Sequence, residues 1–172
     1  LDLSAKAMLA EEIVFLVLDA TNAFWHILLH KLERRFYCSK LSRRHGRTTY
    51  VCYNRTPQGS RGAPLSWAII FGLICRLAFS TLRDVVVPNA ERMQVYVDDP
   101  ITVLRGTPDA NRRQAAILVL AWAAMGVDLS VRKGQMGRKV DWIGATFEAI
   151  PGGITATIQK HRLEELLQLS HN

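Results

Sequence analysis

Three aspartates could do chemistry together. Asp19 follows the apolar run at residues 13–18, which is rich in β-branched side chains and typical of a strand buried on both faces. Asp98 and Asp99 lie between two short runs that predict strands. An Asp pair at such a place is by itself more typical of a turn. A carboxylate behind a buried strand nevertheless needs a cation nearby, because an unpaired buried charge is costly. If the strand that carries Asp19 lies beside the Asp98–Asp99 hairpin, the three carboxylates converge.

A converged carboxylate cluster predicts a metal site. The three charges would raise one another's pKa values unless a divalent cation neutralised them. Hard oxygen ligands select Mg²⁺, with Mn²⁺ as an alternative, over softer metals. Two such ions about 4 Å apart can clamp an in-line phosphoryl displacement. The cluster therefore indicates phosphoryl or nucleotidyl transfer.

Positive charge is concentrated in one part of the chain. The 172 residues carry a formal net charge of +7. Nine Lys or Arg residues lie between positions 31 and 61, opposed there by Glu33 alone. Such a block suits a polyanion, because each cation near a phosphate releases condensed counterions. A solvated basic face explains the charge equally well.

Composition favours one globular domain inside a cell. Apolar residues make up 49% of the chain and charged residues 22%, which is enough for a substantial core. The apolar runs are shorter than the roughly 20 residues that a spanning helix needs, so no membrane contact is expected. Cys38, Cys52 and Cys75 are too scattered for a disulfide framework. We expect a reducing, intracellular compartment, without distinguishing cytoplasm from nucleus.

Periodicity and turn residues predict strands interleaved with helices, an α/β or α+β layer in which helices cover a sheet. Thr107 as N-cap and Gly126 beyond the end bracket one helix. The basic block is predicted to form a protruding hairpin. The predicted strands span residues 13–18, 36–41, 48–54, 93–97, 101–104, 139–149 and 154–158, and the predicted helices span residues 21–29, 65–79, 108–125 and 160–169.

Five segments resemble, in family order, the motifs of reverse transcriptases. VFLVLDATNAF resembles the first polymerase motif, an apolar strand ending in Asp and followed by three variable residues, Ala and an aromatic residue. TPQGSRGAP resembles the second motif and YVDD the third. GVDLSVRKGQ and VDWIGATF resemble the lysine-bearing segment and the primer-grip hairpin. YVDD alone is weak, whereas five ordered motifs over about residues 13–147 are specific.

The resemblance implies the RNA-directed DNA polymerase of a retroelement, which extends a primer 3′-hydroxyl with dNTPs on an RNA or DNA template and uses two Mg²⁺ ions. The implied fold is α+β, a polymerase palm whose antiparallel sheet has helices packed on one face, with part of the fingers and the start of a thumb. The palm would span residues 1–150, with a basic fingers-like hairpin at about 34–56. Residues 151–172 would begin a truncated thumb.

The resemblance also implies individual roles. Phe24 would be the steric gate that favours deoxynucleotides, and Lys133 would protonate the leaving pyrophosphate. The implied catalytic residues are Asp19, Asp98, Asp99 and Lys133; the metal ligands are Asp19, Asp98, Asp99 and the backbone carbonyl of Ala20; the nucleotide pocket is Ala20, Asn22, Ala23, Phe24, Gln58 and Gly59; the primer grip is Trp142, Ile143 and Gly144; and the template contacts are Arg43, Arg44, Arg47 and Arg61.

Two features depart from the family pattern or lie outside it. Pro100 lacks the N–H of an open-chain residue, so we expect a local distortion of the strand after the Asp pair.

Most of the fingers and thumb would belong to a larger polyprotein, together with an RNase H or integrase segment. Because positioning supplies much of the catalysis, the 172 residues alone are expected to be weakly active or inactive.

Other interpretations remain open at the level of sequence. A non-catalytic or decayed palm would bind nucleic acid or act as a scaffold without chemistry. An RNA-dependent RNA polymerase would share the carboxylates, although Phe24 opposes it. His26 and His30 have helical metal-ligand spacing but lack a third ligand, which favours ordinary core or surface histidines.

Overall fold

The computed structural model describes residues 12–44, 47–82 and 92–169. Within these ranges the paired strands are antiparallel and form three sheets. The strands are β1 (Glu12–Val17), β2 (Cys38–Arg44), β3 (Arg47–Cys52), β4 (Arg92–Tyr96), β5 (Asp99–Gly106), β6 (Gln135–Gly137), β7 (Lys139–Trp142), β8 (Ala145–Ile150) and β9 (Gly153–Ile158), and the helices are α1 (Ala63–Ser80), α2 (Pro108–Ala124) and α3 (Lys160–Leu169).

The centre of the fold is a four-stranded sheet in the order β4–β5–β1–β6. β1 pairs with β5 from Glu12 opposite Gly106 to Val17 opposite Ile101, and with β6 on its other side. A strand between two partners can satisfy its backbone hydrogen bonds in the sheet, which frees both faces for packing. The predicted strand at residues 13–18 is therefore confirmed, shifted by one residue.

Helices α1 and α2 cover one face of this sheet. Leu16 of β1 and Leu104 of β5 lie in a buried core with Trp67 and Phe71 of α1 and Trp122 of α2. The helix capped by Thr107 forms as predicted, because the side chain of that residue accepts a hydrogen bond from the N–H of Ala110. The α+β fold with helices on one face of an antiparallel sheet is thus observed.

The three-stranded sheet β7–β8–β9 covers the opposite face. Phe15 and Val17 of β1 lie in a second core with Val140 of β7 and with Phe147 and Ala149 of β8. The ring centroids of Phe15 and Phe147 are 6.3 Å apart. Because successive side chains of a strand point to opposite faces, β1 contributes to both cores and is held in place from both sides.

By length and composition α1 could cross a membrane, although the sequence pattern did not predict a span. A core helix of a folded domain passes the same test. Trp67, Phe71 and Cys75 recur every four residues and are buried, whereas Leu65 and Ile69 on the other side are exposed. This spacing is that of an amphipathic helix with one face in the core.

The predicted helix at residues 21–29 forms only the 3₁₀ turn Ala23–His26. Backbone pairing with a distant segment ends it, since the N–H of Thr56 donates to the carbonyl of Ile27 at 2.9 Å. The helix prediction was too long because apolar spacing does not reveal such pairing. The predicted basic hairpin is formed by β2 and β3, which make a two-stranded sheet of their own; its residues 45–46 lie outside the described part of the chain.

A two-residue turn, Val97 and Asp98, joins β4 to β5. Tyr96 pairs with Asp99 and closes the turn. Asp99 and Pro100 therefore belong to β5, whereas the sequence pattern predicts them in the turn. Val97 has φ 54°, and a positive φ at the first turn residue alone is the pattern of a type II′ turn. This conformation is unfavourable for a β-branched residue, so the turn is strained.

The distortion expected at Pro100 is absent. The register of β4 and β5 runs without a shift through Val95 opposite Pro100. Pro100 directs its backbone toward β1, where its carbonyl accepts a hydrogen bond from the N–H of Leu18 at 3.2 Å. The N–H that proline lacks would point toward β1 and not toward β4. One hydrogen bond to the β1 side is therefore absent, and the pairing with β4 is intact.

The strain at Val97 can be tested by stability measurements. We expect Val97→Gly to be more stable than Val97→Ala by about 1 kcal/mol, because both lose the packed side chain but only glycine adopts positive φ without steric cost. Chemical denaturation of both variants and of the wild type measures their free energies of unfolding. A glycine variant no more stable than the alanine variant would show that the turn is unstrained.

Candidate active site

Backbone hydrogen bonds hold the segment after β1 between two loops. The N–H of Ala20 donates to the carbonyl of Asp98 at 2.9 Å, which joins the segment to the β4–β5 turn. On the other side, the backbone carbonyl of Asp19 accepts from the N–H of Ser130 at 2.9 Å, and the N–H of Thr21 donates to the backbone carbonyl of Asp128 at 2.8 Å. Asp19 and the Asp98–Asp99 pair are thereby brought to one edge of the sheet, as predicted.

The three carboxylates influence one another electrostatically. Burial, followed by the charge of Asp19, raises the pKa of Asp98 above its usual range. Burial, the charges of Asp98 and Asp19 and a hydrogen bond with Asp19 raise the pKa of Asp99 to about 6. Partly desolvated carboxylates that repel one another are stabilised by a nearby positive charge. The raised pKa values show that the negative charge of this cluster is not fully balanced by its surroundings.

Lys133 supplies part of that charge. Its Nζ lies 3.0 Å from Oδ2 of Asp19, whose side chain is 16% exposed. This contact, a hydrogen bond reinforced by opposite charge, raises the pKa of Lys133, so the amine stays protonated near the cluster. The predicted catalytic lysine and the first predicted metal ligand are therefore direct partners.

The donor set suits a hard divalent cation. Within residues 12–44, 47–82 and 92–169, no three His, Cys, Asp or Glu side chains are close enough together to form a ready metal site. Burial and the charge of Asp19 nevertheless raise the pKa values of Asp98 and Asp99, and Asp99 also shares a hydrogen bond with Asp19. Carboxylate oxygens are the ligands that Mg²⁺ prefers. These residues, with the carbonyl of Ala20, could hold such an ion.

A small cavity of about 150 Å³ opens on one side of the cluster. Phe24 of the 3₁₀ turn, Gln58 of the loop before α1 and Asp98 of the strained turn meet there, although they are far apart in sequence. Gly59 follows Gln58 with φ +89°, a conformation that glycine adopts without strain. The predicted nucleotide-pocket residues that line this cavity are Asn22, Ala23, Phe24 and Gln58, with Trp25 as an unpredicted neighbour.

A second cavity, of about 280 Å³, is lined by Asp19 and Asp99 together with residues of the β7–β8 turn. Trp142 at the end of β7 donates its indole N–H to the carbonyl of Asp99 at 3.0 Å. Ile143 and Gly144, both with positive φ, form the turn itself. Of the predicted primer-grip residues, Trp142 is therefore bonded directly to Asp99 at the start of β5, and Ile143 and Gly144 form the adjoining turn.

Two residues of this second cavity were missed from the sequence. The side-chain amide of Gln135 donates to the carbonyl of Asp141 at 3.0 Å and accepts from its N–H at 2.9 Å. The carboxylate of Asp141 accepts hydrogen bonds from Thr146 and Gln159, which lower its pKa. No local pattern indicates these contacts, because they join β7 to β6, to β8 and to the residue that follows β9.

The predicted template-contacting arginines are only partly located. The backbone of Arg43 and Arg44 ends β2, but their side chains lie outside the described part of the chain. Arg47 is exposed at the start of β3. Arg61 is exposed and lines a cavity of about 430 Å³ together with Gln58. Of the two arginines with described side chains, Arg61 is thus the one placed beside a nucleotide-pocket residue.

The raised pKa of Asp99 predicts a pH dependence in metal-free buffer. Its ordinary pKa is 3.8 and its folded value about 6, so the folded chain binds more protons than the unfolded chain in this window, and stability falls as pH rises through it. Asp99→Asn should weaken this fall in the thermal midpoint. Asp109→Asn, at an exposed position paired with Arg112, should keep the slope of the wild type. An unchanged slope in Asp99→Asn would contradict the electrostatic coupling.

Comparison with known families agrees with the geometry. The model of the family described as "Reverse transcriptase (RNA-dependent DNA polymerase)" matches residues 3–147. A search among curated proteins gives no significant match. The family match covers well over half of the chain and includes the carboxylates, both cavities and the basic hairpin. The chain therefore belongs to the reverse transcriptase family.

Proposed function

We propose that this chain is the catalytic palm of an RNA-directed DNA polymerase that transfers nucleotides from dNTPs to a primer 3′-hydroxyl by a two-metal mechanism. One observation carries the proposal: Asp98 lines a cavity with Phe24 and Gln58, whereas its neighbours Asp19 and Asp99 line a cavity with Trp142. Nucleotidyl transfer needs this order, since the incoming nucleotide and the primer end must approach the same cluster from opposite sides.

Each residue of the site has a role that follows from its position. Asp19, Asp98 and Asp99 would hold two Mg²⁺ ions, which when bound activate the attacking hydroxyl and neutralise the triphosphate. Lys133, protonated 3.0 Å from Asp19, is placed to give a proton to the departing pyrophosphate. Trp142 fixes the strand of Asp99 through its carbonyl, so the carboxylate and the primer-side turn keep one relative position.

The surroundings suggest what the site acts on. Phe24 narrows the cavity beside Asp98, which favours sugars without a 2′-hydroxyl. The basic hairpin is a protruding two-stranded sheet that suits the backbone of an RNA or DNA template. We propose a retroelement as the origin, with the remaining fingers and thumb in a larger polyprotein, and an intracellular site of action.

Metal binding and primer extension test the carboxylate assignment. Mg²⁺ should raise the thermal midpoint of the wild-type chain and of Asp109→Asn, but raise it much less for Asp98→Asn, because that variant loses a charged ligand. In a longer chain that adds fingers and thumb segments, Asp98→Asn should lower Mg²⁺-dependent extension of a primed RNA template by roughly 100-fold or more.

Each outcome of that experiment has a distinct meaning. Equal extension by Asp98→Asn and wild type would refute the catalytic role of the cluster. Binding of the primed template without extension in the complete protein would favour the non-catalytic, nucleic-acid-binding alternative. Metal binding in the chain reports on the site even where the flanking segments are missing.

Substitution of Phe24 tests the sugar selectivity. Phe24→Ala enlarges the cavity at Asp98, so the ratio of rNTP to dNTP incorporation should rise by roughly tenfold or more. Phe36→Ala, which removes a 72% exposed ring outside this cavity, should leave the ratio unchanged. A wild type that already prefers rNTPs would instead indicate an RNA-dependent RNA polymerase.

A further inference from the structure

Two cysteines face each other at the base of the basic hairpin. Cys38 begins β2 and Cys52 ends β3, and the register places them directly opposite each other. Because the N–H of Tyr53 donates to the carbonyl of Tyr37 in the adjacent position, the cysteines occupy a non-hydrogen-bonded pair. In such pairs the Cα atoms are about 4.5 Å apart, which lies within the range of about 4.4–6.8 Å found in disulfides.

The two cysteines are opposite each other and open to solvent. Both cysteines are free and exposed. A hydrogen bond with the Cys52 thiol is the largest cause of the raised pKa of Cys38, which agrees with the register that places the two residues opposite each other. The thiol of Cys38 also reaches the carbonyl oxygens of Arg34 and Arg35, at 3.5 and 3.8 Å. The register and the non-hydrogen-bonded pairing therefore give the two residues a backbone separation at which a disulfide can form.

The third cysteine provides a contrast within the same chain. Cys75 is buried in the core on α1, and burial raises the pKa of its thiol to about 11. A thiol enclosed by the core is out of reach of oxidants in solution, whereas Cys38 and Cys52 are exposed. Oxidants in solution should therefore discriminate strongly between the hairpin pair and Cys75.

We propose that Cys38 and Cys52 form a reversible intramolecular disulfide, a redox modification site that links the two strands of the basic hairpin. With glutathione disulfide as oxidant, the thiolate of one cysteine attacks the glutathione disulfide and releases one glutathione thiolate. The second cysteine, as thiolate, then attacks the mixed disulfide and releases another. Two protein thiols are oxidised to one disulfide, one glutathione disulfide is reduced to two glutathione molecules, and the proton balance closes through solvent.

The position of the pair determines what the bond would affect. Cys38 lines the cavity of about 430 Å³ that also contains Gln58, Gly59 and Arg61. A disulfide there would fix the strand base that forms one wall of this cavity, next to the loop that enters α1. The oxidised hairpin would therefore be more rigid at its base, while the reduced hairpin would hold its strands together through hydrogen bonds alone.

Glutathione disulfide and peptide mapping test the proposal on the 172-residue chain. Trypsin cleaves after Lys40 and Arg47, between the two cysteines, so a disulfide leaves two fragments joined until a reductant is added. After oxidation of the wild type, the Cys38–Cys52 linked fragment should exceed glutathione adducts by roughly tenfold or more, because the second step is intramolecular. Dithiothreitol should restore the separate fragments.

Matched variants make the result decisive. Cys38→Ser and Cys52→Ser should each carry one glutathione on the remaining hairpin cysteine and yield no linked fragment. Cys75→Ala should give the same linked fragment as wild type, since its thiol takes no part. Stable glutathione adducts on both hairpin cysteines of the wild type without a linked fragment would overturn the proposal. A linked fragment that contains Cys75 would overturn it equally.

Discussion

The arrangement of this chain depends on the antiparallel pairing of β1 with β5. The pairing aligns the end of one buried strand with the start of another, and it continues past the sheet as the hydrogen bonds from Leu18 to Pro100 and from Ala20 to Asp98. Because the two strands run in opposite directions, the carboxyl end of β1 meets the amino end of β5. Acidic residues far apart in sequence are thereby fixed beside one another, and the two flanking cores make that edge rigid.

Much of the fold could be predicted because its signals are local. The apolar run before Asp19, the cap at Thr107 and the turn residues of the hairpins each indicate an element by the chemistry of a few neighbouring residues. A cationic neighbour of Asp19 could also be predicted, since a charge directly behind a buried strand needs a partner, and Lys133 is that partner. The sequence order of the motifs then identified the family to which the chain belongs.

The remaining details depend on contacts between distant segments. The helix predicted after Asp19 stops early because Ile27 pairs with Thr56, and the proline after the aspartates causes no distortion because its backbone faces β1. The mutual hydrogen bonds of Gln135 and Asp141 have no signature in either segment. Sequence patterns describe what a segment prefers, whereas these features depend on what lies opposite it.

The ion pair of Lys133 and Asp19 has a consequence for how the site is filled. The ammonium group of Lys133 is a counter-ion within the chain itself. It offsets part of the negative charge of Asp19, Asp98 and Asp99 in the absence of a bound cation. The Lys133 side chain is 69% exposed, and an ion pair of this kind is held weakly. Were Asp19 to hold a divalent ion, that ion would take over the charge balance that Lys133 supplies in this structure, and the exposed amine would be available to an anion.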